Sequence, residues 1–136
     1  MRYTLDLLVF HPSISPETIT TKLRMVPQYS WQQGQPRRTP DGKSLPGFYR
    51  ETMWRRVVIR RGRRDFVEDL NAVVEQLRSH KTFLKKLSSD GGRALLIVNL
   101  PGDVNIGGEL APRTLRLMSD LDLKLGVEVF PVMNNA

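Results

Sequence analysis

The sequence predicts an α+β fold: two pseudo-symmetric strand–helix–strand halves form a four-stranded, mainly antiparallel sheet with helices on one face. This is a ferredoxin-like sandwich with a helical insert. Apolar stretches of strand length occur at residues 5–10, 53–60, 93–100 and 123–130. Helix-type periodicity separates them, and one hexapeptide pattern occurs in both halves. Because 136 residues are the length of one domain, we assign residues 1–136 to a single domain.

The hexapeptide reads Ile-Ser-Pro-Glu-Thr-Ile at residues 14–19 and Leu-Ala-Pro-Arg-Thr-Leu at residues 110–115. Proline suits the first helical turn because no backbone donor is lost there. The flanking aliphatic residues are spaced to form a hydrophobic staple. Ser15 can cap its helix, whereas Ala111 is a poor cap. Both copies follow a predicted strand and lead through a helix towards another strand, which predicts equivalent halves.

The segment between the halves is predicted to be helical. Asp65 with Glu68 three residues later is typical of a helix start, and an amphipathic apolar stripe follows it. A second short helix ends before Gly91, so residues 65–90 form the predicted helical insert. Residues 94–98 are all apolar, which predicts a central strand covered on both faces.

Residues 28–52 differ from the rest of the chain because they show no periodicity and contain repeated glycine and proline. A long irregular segment is uncommon inside a compact domain and is usually functional or mobile. We therefore predict an irregular basic loop at residues 28–52.

Positive charge is concentrated in residues 37–64. This window holds ten of the 21 basic residues and only two acids, Asp41 and Glu51, giving a net charge of +8. The rest of the chain carries −1, so the overall charge of +7 comes from one segment. A basic segment attracts anionic partners, and an acidic protein and a nucleic acid are equally compatible with it.

Aromatic residues lie among these bases, and arginine binds phosphate through a two-pronged fork while aromatic rings stack on exposed bases. The candidate anion- or partner-binding residues are Trp31, Arg37, Arg38, Lys43, Arg50, Arg55, Arg56, Arg60 and Arg61. A structural interpretation stays open, in which Trp54 anchors the core and residues 60–64 form a solvated turn. Long arginine stems can also cover apolar surface.

No catalytic constellation is visible. The chain lacks cysteine, a phosphate-binding glycine loop and a metal-binding histidine helix, so we predict no catalytic residues, no metal and no cofactor. His11 and His80 are interpreted as exposed or hydrogen-bonded turn residues. No apolar run approaches membrane-spanning length and no secretory signal is visible, so we expect no membrane partner and a cytoplasmic location.

Several features occur in an order that resembles a known family. They are the first apolar strand, residues 14–19, the Leu-Arg-Met-Val-Pro of residues 23–27, Gly34, Trp54, the helix at residues 66–77 and the strand at residues 123–130. The chain resembles the domain of unknown function 4279 family, whose members are small bacterial proteins. The resemblance implies a small α+β protein with no established activity and no site residues to carry over. The chain departs from the family pattern at residues 23–25, where a glycine-containing turn is expected, and in its arginine density around Trp54.

Three functional hypotheses follow. The first is a non-catalytic binding module whose partner surface is built from residues 28–52 and the adjoining arginines. The second is a single-stranded nucleic-acid-binding protein that uses the arginines and aromatics of residues 29–64. The third, weakly supported, is a hydrolase-type enzyme that uses carboxylates or a histidine. The hexapeptide repeat also permits a homodimer through an exposed sheet edge.

Overall fold

A sheet of five strands and a separate two-stranded hairpin form the β-structure of the computed structural model, which describes residues 3–62 and 65–131. The strands are β1 (Tyr3–His11), β2 (Tyr29–Trp31), β3 (Pro36–Arg38), β4 (Ser44–Phe48), β5 (Thr52–Gly62), β6 (Arg93–Pro101) and β7 (Leu123–Phe130). The helices are α1 (Pro16–Leu23), α2 (Phe66–Leu77), α3 (Lys81–Ser89) and α4 (Pro112–Asp120), with a 3-10 turn at Arg78–His80 between α2 and α3. These elements confirm the mixed α+β class.

The five-stranded sheet has the order β2-β5-β1-β6-β7, so β1 lies at its centre. β1 is antiparallel to both β5 and β6, and β2 is antiparallel to β5. β6 and β7 run parallel. The predicted four-stranded sheet is thus corrected to five strands, because β2 adds a strand at one edge.

The two halves of the chain pair differently, so the pseudo-symmetric ferredoxin-like layout is not confirmed. β1 and β5 are antiparallel neighbours, whereas β6 and β7 are parallel neighbours joined through α4. The hexapeptides specify only where a helix begins, and α1 and α4 do begin at their prolines. Strand direction depends on the connection. After β6, helix α4 and residues 121–122 bring the chain back so that β7 runs parallel to β6. After α1, residues 24–51 add three short strands before the chain returns, and β5 runs antiparallel to β1.

The core lies between the helices and the sheet face that carries the odd-numbered residues of β1. Leu5, Leu7 and Val9 are fully buried there, together with residues of all four helices. Trp54 of β5 is also fully buried, and its indole N–H donates to Thr20 Oγ1 in α1 at 3.0 Å. The core interpretation of Trp54 is therefore correct, and a buried indole donor has the partner it needs.

The opposite side of the sheet, which we call the open face, carries the even-numbered residues of β1. In β6, Ala94, Leu96 and Val98 are buried under the helices, while Leu95 and Ile97 on the open face are only half-buried. The prediction that this strand is covered on both faces is wrong. Its consecutive apolar residues reflect a central position in the sheet with the helix layer on one side.

Residues 28–52 contain more regular structure than the sequence predicts. β2 extends the main sheet, and β3 pairs with β4 as an antiparallel hairpin, with Pro36 opposite Phe48 and Arg38 opposite Ser44. The strands are short and most of their residues are exposed, so no alternation of apolar and polar residues marks them.

The segment between β5 and β6 contains α2, the 3-10 turn and α3, and polar contacts join it to the second half of the chain. Asp65 caps α2 by accepting a bond from the Val67 N–H at 2.9 Å. Glu75 of α2 accepts bonds from Arg113 of α4 at 2.7 Å and from Arg78 at 3.1 Å. These hydrogen bonds hold the pKa of Glu75 below its ordinary value, and the bond from Arg113 has the larger effect.

None of the helices in residues 3–62 and 65–131 has the length and apolar composition that a membrane-spanning segment needs.

The two helix starts provide a matched stability test. Ser15 and Ala111 have nearly the same backbone conformation (φ −73°, ψ 149° and φ −67°, ψ 148°), but only Ser15 makes a side-chain cap bond. Ser15→Ala should lower the free energy of unfolding by about 1 kcal/mol, and Ala111→Ser should raise it by about 0.5–1 kcal/mol. Urea unfolding of both variants checks this. Equal effects of the same sign would show that the two caps do not act as described.

Candidate functional site

The hairpin of β3 and β4 is fixed to β2 largely through Tyr49. The Tyr49 N–H donates to Gln35 O at 3.0 Å, and Tyr49 O accepts from the Gly34 N–H at 2.9 Å. Its hydroxyl donates to Arg38 O at 3.0 Å and accepts from the Arg38 N–H at 3.1 Å. These four bonds hold the Tyr49 ring along β3 and join the end of β4 to the segment that leads from β2 into the hairpin.

The Tyr49 ring stacks on Trp31 at the end of β2, with 4.4 Å between ring centroids and 7° between ring planes. Beside this pair is an open cavity of about 480 Å³, which we call the hairpin cavity. Its lining residues are Tyr29, Ser30, Trp31, Gln35, Pro36, Arg38, Thr39, Pro40 and Tyr49. The lining includes aromatic rings, hydroxyls and one guanidinium, and it contains no acid. Such a lining suits a flat group that carries or adjoins a negative charge.

The other predicted bases of the hairpin region surround this cavity without converging on it. Arg37 is adjacent to Arg38 on β3, so its side chain lies on the other side of the hairpin, where Nη1 donates to Pro46 O at 3.3 Å. Lys43 lies 3.8 Å from Asp41 as an exposed ion pair. Arg50 is exposed between β4 and β5. Of the predicted basic residues, only Arg38 lines the cavity.

The arginines of β5 are divided between the two faces of the sheet. Arg55 lies on the open face, opposite Tyr29 of β2. Arg56 points the other way, and its Nη1 donates to Val26 O at 2.7 Å. Arg60 is exposed, and the structure describes only the backbone of Arg61, within β5. The solvated turn predicted for residues 60–64 includes Arg63 and Arg64, which lie outside the described residues.

Arg55 forms an ion pair with a buried carboxylate. Asp6 is only 3% exposed, and its Oδ2 accepts bonds from Arg55 Nη2 at 2.5 Å, Arg55 Nε at 3.1 Å and Asn99 Nδ2 at 3.3 Å. Asp6 Oδ1 is buried with no hydrogen-bond partner among the described residues. Because a buried carboxylate needs its counter-charge, Arg55 has a structural role and adds little net charge to the surface.

A second candidate site, which no sequence pattern revealed, lies at the end of β1. His11 is 4% exposed, and its Nδ1 accepts bonds from the backbone N–H groups of Ser13 and Ile14, both at 3.0 Å. A nitrogen that accepts two N–H bonds carries no proton, so the ring proton is on Nε2. Nε2 is buried and has no hydrogen-bond partner among the described residues. His11 is thus the hydrogen-bonded turn residue that was predicted, but with a free donor.

His11 is one of the residues around a cleft of about 400 Å³ between α1 and α3, which we call the helix cleft. Its lining residues are His11, Ile14, Thr18, Lys22, Ser79, His80, Thr82, Phe83, Lys86, Leu87 and Asp90. Asp90 Oδ2 is 3.7 Å from His11 Nε2, which is beyond hydrogen-bonding distance. Asp90 also accepts a bond from Lys86 Nζ at 3.4 Å.

No pattern in the sequence places these residues together, because His11 and Asp90 are distant in the chain and meet only through the pairing of β1 with β6. The turn His-Pro-Ser-Ile after an apolar strand is the one local signal that pointed to a structural role for the histidine. In the part of the chain that the structure describes, no group of three or more histidine, cysteine, aspartate or glutamate residues could hold a metal ion.

Comparison with known proteins gives one match. A family model described as "Domain of unknown function (DUF4279)" matches residues 1–130. No curated protein and no solved structure matches the chain. The suspected resemblance is therefore confirmed over nearly the whole chain, and it brings no described activity.

The role assigned to Arg55 can be tested against its neighbour. Arg55→Ala should lower the free energy of unfolding by about 2–3 kcal/mol, because it leaves the Asp6 carboxylate buried without its cation. Arg56→Ala removes one exposed hydrogen bond and should cost about 1 kcal/mol or less. The double variant Asp6→Ala/Arg55→Ala should be more stable than the sum of the single changes predicts. Equal losses for the two arginine variants in urea unfolding would contradict this role.

Proposed function

Because the chain belongs to the DUF4279 family, whose description names no activity, we propose that it is a non-catalytic binding module that holds an anionic partner in the hairpin cavity. The observation that carries this proposal is the composition of the cavity wall, which combines a stacked Trp31–Tyr49 pair, half-exposed Tyr29 and Arg38 without any acid. Arg37, Arg50 and Arg60 have no ion-pair partner among the described residues, so they add to the positive field around the cavity.

The partner that fits this wall offers a negative charge next to a planar group. Single-stranded nucleic acid has both in every nucleotide, because a phosphate can meet the Arg38 fork while a base stacks on Tyr29. An acidic protein segment that carries an aromatic side chain offers the same two features. The stacking of Trp31 on Tyr49 favours a short contact of one or two rings, because each of these residues has one ring face already covered.

Arg38 and Arg37 give a matched pair of variants for this proposal. They are adjacent, both are exposed and each substitution removes one positive charge, but only Arg38 lines the cavity. For a mixed-sequence single-stranded oligonucleotide, Arg38→Ala should weaken binding several-fold and lower the slope of log affinity against log salt by about 0.7. Arg37→Ala should have a smaller effect on affinity, and Lys81→Ala on α3 should have little effect on either quantity.

The tryptophan fluorescence of the protein locates the contact. Trp31 lines the cavity while Trp54 is fully buried, so a ligand-induced change should disappear in Trp31→Phe. An acidic, tyrosine-containing peptide titrated in the same way identifies the class of partner. Saturable binding of the peptide but not the oligonucleotide would exclude the nucleic-acid alternative. If neither probe binds at low salt, or if Arg38→Ala and Arg37→Ala behave alike, the hairpin cavity is not the binding site.

A second candidate function is small-ligand binding in the helix cleft, and the combination of two lysines with an apolar wall favours it. Lys22 and Lys86 in the same lining suit a carboxylate or phosphate group, and Phe83 offers an apolar wall.

The geometry of His11 supports binding over acid–base chemistry. A general base must accept a proton at an available nitrogen, but Nε2 already carries the proton and Nδ1 is occupied by two backbone N–H groups. The hydrolase hypothesis names carboxylates or a histidine, and Asp90 Oδ2 lies 3.7 Å from His11 Nε2. Because Nδ1 is occupied and Nε2 carries the proton, His11 does not provide a base for this hypothesis.

Long-range proton–nitrogen NMR spectra can test the role of His11. Near neutral pH the ring should show the Nε2–H tautomer, because both backbone bonds fix Nδ1 as the acceptor. Titration with inorganic phosphate should shift the His11 signals in the wild type and have a weaker effect in Lys22→Ala, with Lys81→Ala as the matched control. An Nδ1–H tautomer would contradict the described geometry, and unchanged signals with phosphate would show that the cleft does not take this anion.

A further inference from the structure

The two edges of the five-stranded sheet are protected to different degrees. The edge strand β2 has three residues, and the hairpin lies beside it. β7 at the other edge has eight residues, and among the described residues no strand pairs with its outer side. Leu125, Val127 and Val129 of β7 are 38%, 58% and 64% exposed. A long apolar edge of this kind is a template for pairing with another strand.

The backbone of β7 shows which residues can make such a pairing. Gly102, which directly follows β6, donates its N–H to Phe130 O at 2.5 Å. The peptide groups of the even-numbered residues of β7 therefore point towards β6. Because neighbouring residues of a strand point their N–H and C=O groups to opposite sides, those of Leu125, Val127 and Val129 point outwards.

We propose that β7 pairs antiparallel with β7 of a second copy of this chain around a twofold axis at Gly126. In this register Leu125 lies opposite Val127 of the other copy, and the outward peptide groups of both strands form hydrogen-bonded pairs. Lys124 lies opposite Glu128 of the other copy, and the twofold axis repeats this pair. The strand is thus complementary to itself in its backbone hydrogen-bonding groups and in charge, as an interface between identical copies requires.

Other registers lack this complementarity. Only odd-numbered residues can form hydrogen-bonded pairs, so the alternatives shift the axis by one residue at a time. An axis at Leu125 or Val127 places neither Lys124 nor Glu128 opposite an opposite charge. An axis at Lys124 or at Glu128 places two like charges opposite each other, which is destabilising. The charges of β7 therefore select the register centred on Gly126.

The same register brings the exposed apolar rows of the two copies side by side. The odd-numbered residues of β7 share the helix-side face with Leu96 of β6, so those of both copies form one continuous strip. Lys124 and Glu128 are exposed, and neither has an ion-pair partner among the described residues. They lie in the closely spaced, non-hydrogen-bonded positions, where opposite charges are near enough to interact. The dimer would have one sheet of ten strands.

Charge reversal and charge exchange test this register. The wild type should sediment as a dimer with twice the chain mass of 15.6 kDa. Lys124→Glu and Glu128→Lys should each weaken dimerisation about tenfold or more, because both symmetry-related pairs become repulsive. The double variant Lys124→Glu/Glu128→Lys should restore the dimer, because each pair again joins opposite charges. Sedimentation equilibrium over a range of concentrations measures all four proteins.

Lys81→Glu, an equal change of charge on α3, is the control and should leave the dimer intact. Val127→Lys should abolish the dimer, because it places a charge in the apolar row, and the charge-exchange design offers no second substitution to restore it. Circular dichroism shows that each variant is folded. A wild type that stays monomeric at every concentration would overturn the proposal. The proposal would equally be overturned if neither charge reversal changed the dimerisation constant, or if the double variant failed to restore the dimer. The readout is the mass of the protein, so it is independent of ligand binding in either cavity.

Discussion

Everything in this fold depends on the burial of β1 at the centre of the sheet. Its odd-numbered residues, including Leu5, Leu7 and Val9, lie beneath the helices, while both its edges are hydrogen-bonded to neighbouring strands. Because this strand is held on three sides, the residues at its other positions are held rigidly as well. Asp6 on the open face and His11 at the end owe their fixed positions to it, and each has a buried polar atom without a hydrogen-bond partner among the described residues.

The buried Asp6 carboxylate changes how the positive charge of residues 37–64 is interpreted. Of the neighbouring pair on β5, Arg55 neutralises Asp6 and Arg56 bonds to the backbone of the segment after α1. Positive charge without an acid partner is then concentrated around the β3–β4 hairpin, where Tyr49 fixes the position of Arg38 beside two stacked rings. A charge count along the sequence treats all these arginines alike. Their hydrogen bonds distinguish the arginines that stabilise the fold from those whose charge is available to a partner.

Local signals predicted the elements that depend on neighbouring residues. The two prolines of the repeated hexapeptide mark the first residues of α1 and α4, Asp65 caps α2, and the last strand has the predicted bounds at residues 123–130. The strands of residues 28–52 escaped prediction because they are short and exposed, so burial leaves no alternation in their sequence. Of the candidate binding residues, Trp31 and Arg38 line one cavity, while the other predicted bases lie around it or on other faces.

Residue patterns alone were enough to predict the α+β class, the starts of α1, α2 and α4, and the segment that holds the excess positive charge. These follow from periodicity, capping and composition, which act over a few residues. The three-dimensional structure was needed to show that Trp54 belongs to the core, that β6 and β7 run parallel, that Arg55 pairs with Asp6, and that His11 lies near Asp90. These contacts join residues that are far apart in the chain, because strand pairing brings them together through backbone hydrogen bonds that form with almost any side chain.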